Sequence, residues 1–535
     1  MVQALDLFAV RGPDTGVLRL ADGVDLVADI YRPDGSGDYP VLLMRQPYGR
    51  KIASTVVLAH PRWYAAQGYI VVVQDVRGAG GSGGVYDPFR QEIADGAASI
   101  AWARTLPGSN GRIGLYGFSY QATCQYLALA GGGRPDAIAP AMGSWTPETD
   151  WAYEGGAFRF SLNVGWASQM ARLQAERKGD GATLAALAAA VGPAAQRDYL
   201  LTRPDLTHLH DWLANDPAYW AGSSPAALLG APPPIPVLHV AGCHDFLLGG
   251  SLGADAAFRA VSPGTTHMIM GPWSHAPWNR AAGAAQAGPG AELSVDKAQM
   301  TFFDHYLKRK GARPAGLVVY DLGTDRWDSI EDWPARDAVR LWLGSDGLAA
   351  TLLSDGRLQP RPNDGADILV HDPDRPAPLI GGALGVPQGC VDRAAQDNRS
   401  DVAVYTMPPL TAPLRLLGPV QAVIDVQADA QVFDVCASLS RVTGAGHAYV
   451  LATGYARCTG SGPVSLSMGA VSITVPAGDG LRLSVQGAGT PAFELAQDQI
   501  APCTGQRAPI TMILRHAGSS VTLPAIPPPK EPHDA

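Results

Sequence analysis

Hydrophobic and polar positions follow two different rhythms along this chain. Residues 18–31, LRLADGVDLVADIY, place short apolar runs on either side of an Asp-Gly pair, which predicts a β-hairpin. YPVLLMRQPYG (39–49) and GYIVVVQDVRG (68–78) are continuous apolar runs that end in polar residues and glycine. Such runs suit strands buried on both faces of a parallel sheet. Helical spacing follows in ADGAASIAWARTL (94–106), and strand–helix alternation predicts a doubly wound α/β sheet. From about Trp145 to Ser224 the strand pattern stops. ARLQAERKGDGATLAALAAAVG (171–192) and LTHLHDWLANDPAYW (206–220) read as helices of an insertion. Strand patterns resume in IPVLHVAGCHDF (235–246) and THMIMGPWSH (266–275), followed by a helix over DKAQMTFFDHYLKRKG (296–311) with a glycine stop.

After about Ser345 helical periods vanish. Short β-type runs recur between Gly and Pro turns, among them VAVYTMPPL (402–410), PVQAVIDVQA (419–428) and GLRLSVQG (480–487). That pattern predicts an all-β sandwich or jelly roll. The division expected is 1–144 and 226–345 for the α/β core, 145–225 for the helical insertion, 346–525 for the β domain and 526–535 for a disordered Pro-rich tail. No internal repeat is present.

Composition narrows the function. The 535 residues exceed one core, and the net charge of −9 with no Lys/Arg run argues against nucleic acid. The cluster LKRKGAR (307–313) reads as a solvated helix end. No apolar run reaches the roughly 18–20 residues of a membrane helix. The first residues lack a basic stretch leading into an apolar one, so a cytoplasmic protein is expected. The six cysteines form no C-x-x-C pair and read as mostly buried thiols, and no metal is expected.

The chemistry centres on GLYGFSYQA (114–122). Ser119 ends an apolar run and opens a helical one, the setting of a nucleophile on a tight turn. The pattern G-x-S-x-G would put glycine where Gln121 stands, but Ala122 is small enough for close helix–strand approach. Asp245 lies just past a predicted strand, and His275 ends the next one. Each has a structural alternative taken alone: a serine in a β–α turn, an aspartate at a helix N-cap, a satisfied histidine. Together they give the order Ser, Asp, His, each at the carboxyl end of a strand, where open α/β sheets place their sites. Acyl transfer by serine also needs oxyanion donors. The backbone N–H of Tyr120 is one candidate and the phenol of Tyr48, after the 39–46 run, is another. GAGGSG (78–83) matches a dinucleotide fingerprint in form, with Asp95 further on. No helix starts at the motif and Asp95 falls in a helical stretch, so the segment reads as a Gly-rich loop packed near the site, and no cofactor is expected.

With these motifs in view, the chain resembles the serine hydrolases that include bacterial cocaine esterase, α-amino acid ester hydrolases, glutaryl-cephalosporin acylases and X-Pro dipeptidyl peptidases (peptidase S15, CocE/NonD). The resemblance spans nearly the whole chain and rests on DGVDLVADIYRP (22–33), RQPYGR (45–50), QDVRGAGGSGG (74–84), GLYGFSY (114–120), AGCHDF (241–246), GPWSH (271–275), FFDHYLK (302–308) and RSDVAVYTMPPL (399–410). It implies an α/β-hydrolase core with an inserted helical cap and a C-terminal all-β jelly-roll domain. It also implies Ser119 as nucleophile, His275 as base, Asp245 as its partner, and Tyr48 and Tyr120 as the oxyanion hole. The family elbow reads G-x-S-Y-x-G, so Gln121 agrees with it and Ala122 is the departure.

Specificity is less legible. Trp151, Phe158 and Trp166 in the cap are candidate pocket walls, as aromatic cap residues are in the cocaine-esterase-like members. Amino-ester hydrolases of this kind hold the substrate ammonium with carboxylates. Asp150 and Glu154 are the cap candidates here, but FLLGG after Asp245 supplies none. The chain also begins directly at the hairpin, without the longer N-terminal region usual in X-Pro peptidases. The expectation is a small-molecule ester or amide substrate, with an aminopeptidase or β-lactam acylase as the alternative. A carbohydrate- or partner-binding protein with a vestigial core is the non-enzyme alternative. The β domain is expected to pack on the core and help wall the site. A homodimer stays open.

Overall fold

The continuous apolar runs become the centre of a mixed sheet. A computed structural model describes residues 7–51, 56–278, 281–282, 285–334, 337–496 and 508–526. Its first sheet contains β1 (Val10–Arg19), β2 (Asp25–Pro33), β3 (Tyr39–Gln46), β4 (Ile70–Asp75), β5 (Ser109–Phe118), β6 (Ala137–Ala141), β7 (Val237–Gly242), β8 (Thr266–Gly271), β9 (Leu317–Asp321) and β10 (Arg326–Ile330). Spatially they run β1-β2-β4-β3-β5-β6-β7-β8-β9-β10. From β4 to β9 every neighbouring pair is parallel, with antiparallel strands at both edges. All residues of β4, β6, β7 and β8 are buried, as strands covered on both faces must be. Because β3, β5, β7 and β8 point the same way, the segments after them share one edge.

Helices α1 (Gln91–Arg104) and α2 (Tyr120–Ala130) follow β4 and precede β6. Between β6 and β7 the chain makes a two-strand hairpin, 153–154 with 157–158, and then helices from Phe160 to Leu229, beginning with α3 (Phe160–Lys178). Aspartate and serine caps mark several starts: Asp180 accepts from Thr183 N–H, Asp216 from Ala218 N–H and Ser224 from Ala227 N–H. α4 (Leu248–Val261) and α5 (Val295–Leu307) complete the core. α5 ends at Leu307, four residues before the glycine expected to stop it, with Lys308 at its C-cap.

From Asp337 to Ile526 the described residues form mostly strands, in one sheet. Pairing within it is antiparallel except for one bridge, Arg357 with Thr406. The sheet rolls nearly shut. A Cβ on Gly454, in the strand at one end of the sheet, would lie 3.0 Å from Met468 Cγ in the strand at the other end. Its interior is mostly aliphatic, with Leu416, Ile424, Val435, Leu483 and Leu514 fully enclosed beside Tyr405 and Phe433. The last strand runs to Ile526, and the tail beyond it lies outside the described residues. Buried polar contacts fasten this domain to the core: Arg415 pairs with Asp321 at 3.1 Å and Asp328 at 2.9 Å, and Asp321 also accepts from Thr474 N–H. No helix is long and apolar enough to cross a membrane among the described residues. Cys124, Cys243, Cys390, Cys436 and Cys458 are free thiols, and Cys503 lies outside the described residues.

Candidate active site

Ser119 stands between β5 and α2 with φ 62° and ψ −124°. A non-glycine residue held there costs on the order of 1–3 kcal/mol, so the surroundings must over-determine it. Its N–H donates to Ala141 O at 2.9 Å, and its carbonyl accepts from Ala122 and Thr123 N–H. Gln121 folds back so that its Oε1 accepts from Phe118 N–H at 2.9 Å. Gly117 has φ 143°, and a Cβ there would lie 2.6 Å from Gln121 Cβ. Glycine at 117 and glutamine at 121 are therefore one device. The methyl of Ala122 is accommodated from across the turn, since a Cβ on Gly143 would lie 2.8 Å from it.

The turn aims Ser119 Oγ at His275. Nε2 of His275 lies 3.0 Å from Oγ, and Nδ1 lies 2.7 Å from Asp245 Oδ1. A carboxylate only accepts, so Nδ1 carries the proton and Nε2 is left to accept from the serine hydroxyl. Asp245 is fully buried and does not cap α4, whose N-cap is Leu247. The imidazole is held between two rings, Phe118 at 4.5 Å and Phe246 at 4.2 Å between centroids. Trp278 donates its indole N–H to His275 O at 3.0 Å.

Tyr48 follows β3 and its phenol oxygen accepts from Trp166 Nε1 at 3.2 Å. Burial pushes the phenol up to about 12, against hydrogen-bond contacts with Trp166 and Ser119 that pull it down. It is thus a neutral donor at ordinary pH. Tyr120 opens α2, where the first N–H groups have no intrahelical acceptor. Its side chain is pinned underneath: the phenol accepts from Phe89 N–H at 2.9 Å and donates to Glu92 Oε1 at 3.2 Å. Glu92 pairs with Arg45 at 2.6 Å, both fully enclosed. Burial pushes the Glu92 carboxyl up and Arg45 opposes it.

Ser119, His275, Tyr48 and Tyr120 open on a cavity of about 590 Å³, and Asp245 is not part of its described lining. Trp151 and Trp166 line it, with Phe89, Leu162, Leu173 and Phe246. Its described lining contains no Asp, Glu, Lys or Arg. Phe158, expected as a wall, is not part of that lining; its ring packs edge-on against Tyr153 at 5.3 Å within the cap hairpin. The described lining includes no residue of the β domain, which instead borders an adjoining cavity beside Asp245 and Phe246 through Leu451, Tyr455 and Met468. Asp150 and Glu154 are committed elsewhere. Asp150 accepts from Ser144 Oγ and from the N–H groups of Trp145 and Thr146, and Glu154 pairs with Arg159 at 3.3 Å. The Gly-rich loop is a brace. Asp75 accepts from Gly81 N–H and Arg50 N–H, Arg77 pairs with Asp95 at 2.8 Å, and α1 starts only at Gln91.

Sequence reasoning missed Phe118 and Phe246, the rings that hold the imidazole, although each is the chain neighbour of a predicted site residue. It also missed Phe89. That residue adopts φ 68°, and no local signal marks a phenylalanine for that conformation.

Residues 22–277 match the family described as X-Pro dipeptidyl-peptidase (S15 family), and residues 310–517 match the X-Pro dipeptidyl-peptidase C-terminal non-catalytic domain. Cocaine esterase from Rhodococcus sp. is 30% identical over 471 residues, covering 82% of this chain and 81% of that protein. Among solved structures, an aminopeptidase from a marine sediment Thaumarchaeota archaeon superposes with a TM-score of 0.80 at 21% identity, covering 98% of both chains. An α-amino acid ester hydrolase gives a TM-score of 0.77 at 20% identity, again covering 98% of both. At those identities the two structures speak to the fold.

Proposed function

The chain belongs to the S15, cocaine-esterase-like (CocE/NonD) family and is a serine hydrolase of ester or amide bonds, and on that premise we propose that it is a carboxylesterase for neutral esters of small acyl groups, with Ser119, His275 and Asp245 as its triad. The observation that carries this reading is the unbroken Asp245–His275–Ser119 chain of contacts opening on an aromatic cavity without a charged anchor among its described residues.

Ser119 Oγ attacks the ester carbonyl while His275 Nε2 takes its proton. Asp245 steadies the imidazolium from the Nδ1 side. The tetrahedral oxyanion accepts from the Tyr48 phenol and the Tyr120 N–H. Collapse breaks the bond to the alkoxy oxygen, which leaves with the proton from Nε2 and gives the acyl-serine. Water then attacks that acyl carbon, its proton passing to Nε2, and a second collapse returns the proton to Ser119 Oγ and releases the acid.

The cavity argues for esters over peptides with a free amino terminus. Burying an ammonium without a carboxylate partner is costly. Asp150 and Glu154, the cap carboxylates at hand, already serve the backbone and Arg159. The name of the 30% identical relative, an esterase, agrees. The test compares initial rates on p-nitrophenyl butyrate and Gly-Pro-p-nitroanilide, with Ser119→Ala as the blank. Fast ester cleavage with a silent anilide is expected. A fast anilide would instead assign amino-terminal recognition and overturn the esterase reading.

A further inference from the structure

We propose that Trp166, on the cap, is a positioning residue for the oxyanion hole: its indole N–H holds the Tyr48 phenol so that the phenol proton points at the developing oxyanion. The inference rests on the triad and oxyanion-hole reading above and adds to it the group that sets the aim of one donor.

A phenol oxygen offers one proton and can accept hydrogen bonds, and an indole N–H can only donate. In the contact at 3.2 Å between Trp166 Nε1 and Tyr48 Oη the direction is therefore fixed: tryptophan gives and tyrosine receives. The phenol's own proton remains to be given elsewhere, and Tyr48 lines the same cavity as Ser119, where the oxyanion develops. A hydroxyl that accepts on its oxygen also becomes a better donor through its proton, because bonds in a chain polarise one another.

The indole itself has little freedom. It stacks on Trp212 at 5.3 Å and on Tyr120 at 5.9 Å, and Trp151 meets it edge-on at 5.3 Å. Phe89 stacks on it at 6.3 Å from the core side. Helix α3, which carries Trp166, is tied to the core two to three turns further on. Gln174 Nε2 donates to Gly78 O at 2.9 Å and Arg177 Nη2 donates to Ser82 O at 2.5 Å. The Gly-rich loop, through Asp75 and Arg50, in turn holds the segment after β3 that bears Tyr48. Cap and oxyanion hole are thus aligned through two routes, the loop and the indole. The same side chain that walls the cavity controls the donor, so the cap takes part in transition-state stabilisation as well as in substrate fit.

The test is a double-mutant cycle on kcat and KM for p-nitrophenyl butyrate. Tyr48→Phe is expected to lower kcat about a hundredfold, the loss typical of one oxyanion donor. Replacing Trp166 by benzothienylalanine keeps the ring and its size and deletes only the N–H. That variant is expected to lower kcat about fivefold, the worth of one hydrogen bond, with KM unchanged. In the Tyr48→Phe background the same replacement should leave kcat within about twofold, because there is no phenol left to aim. Trp166→Phe is the genetically encoded counterpart, and stoichiometric fluorophosphonate labelling of Ser119 shows that each variant keeps its site. Equal kcat losses in both backgrounds, or an effect on KM alone, would make Trp166 a wall only and overturn the proposal. An unchanged kcat in Tyr48→Phe would overturn it together with the oxyanion-hole reading, which separates the two failures.

Discussion

Gln121→Met tests how the nucleophile is held. The variant keeps the length and approximate volume of the side chain and removes the oxygen that accepts from Phe118 N–H at 2.9 Å. That amide lies inside the fold, and a buried N–H left without an acceptor costs about 1–3 kcal/mol. The same turn carries Ser119 at φ 62° and ψ −124°, a strain of similar size. If the lost bond reappears as a preference for a relaxed turn, the fraction of molecules with Oγ aimed at His275 falls about 5- to 150-fold. The assay is the second-order rate of inactivation by a fluorophosphonate, which reads nucleophile geometry, beside kcat/KM for p-nitrophenyl butyrate. Both should fall together within that range. Gln121→Glu, which keeps an accepting oxygen, should recover most of the loss. A wild-type inactivation rate in Gln121→Met would mean that the bond from Ser119 N–H to Ala141 O fixes the turn unaided, and the brace argument would fail.

Other perturbations separate the site from its supports. Trp151→Ala removes a cavity wall and should raise KM several-fold. Phe158→Ala, at a ring that is not itself part of the described lining, should leave KM alone and lower the unfolding midpoint, a core truncation costing about 3–5 kcal/mol. Glu92→Gln strands the buried Arg45 guanidinium and should destabilise the fold by about 3–5 kcal/mol, with Arg45→Met added in the same chain restoring most of it; no recovery in the double variant would refute the pairing argument. His244 is fully buried and burial pulls its imidazole down to about 4. The unfolded chain titrates it near the ordinary value of about 6.5, so between those pH values the unfolded state binds more protons. Its contribution is present above about 6.5 and lost as pH falls toward 4, and the pH dependence of the urea midpoint should flatten by about one proton in His244→Met. An unchanged slope would place the effect on other groups.

Much of this architecture was legible because buried strands have a strong signature. IVVVQD and VLHVAG carry no alternation and became all-buried parallel strands, so the ends after which Ser119, Asp245 and His275 stand could be read from the order of runs. Their meeting required only that β5, β7 and β8 be parallel, which the strand–helix alternation implied. The brace at Gln121 was not legible. A pattern treats position 121 as a motif letter, whereas its role is a side-chain bond back to a residue three places earlier. Phe158 and Trp151 look alike in sequence, and only the hairpin at 153–158 decides that one ring faces the cavity and the other Tyr153. That the β domain borders the cavity beside Asp245 and Phe246 was equally hidden, since packing against the core does not say which face is covered.

The most direct test of the central assignment is peptide mapping by mass spectrometry after brief exposure to a fluorophosphonate, with esterase activity followed in the same sample. The account predicts a single adduct on Ser119, loss of activity in step with it, and neither adduct nor activity in Ser119→Ala. An adduct on another residue that tracks the loss, or ester hydrolysis that survives in Ser119→Ala, would contradict it.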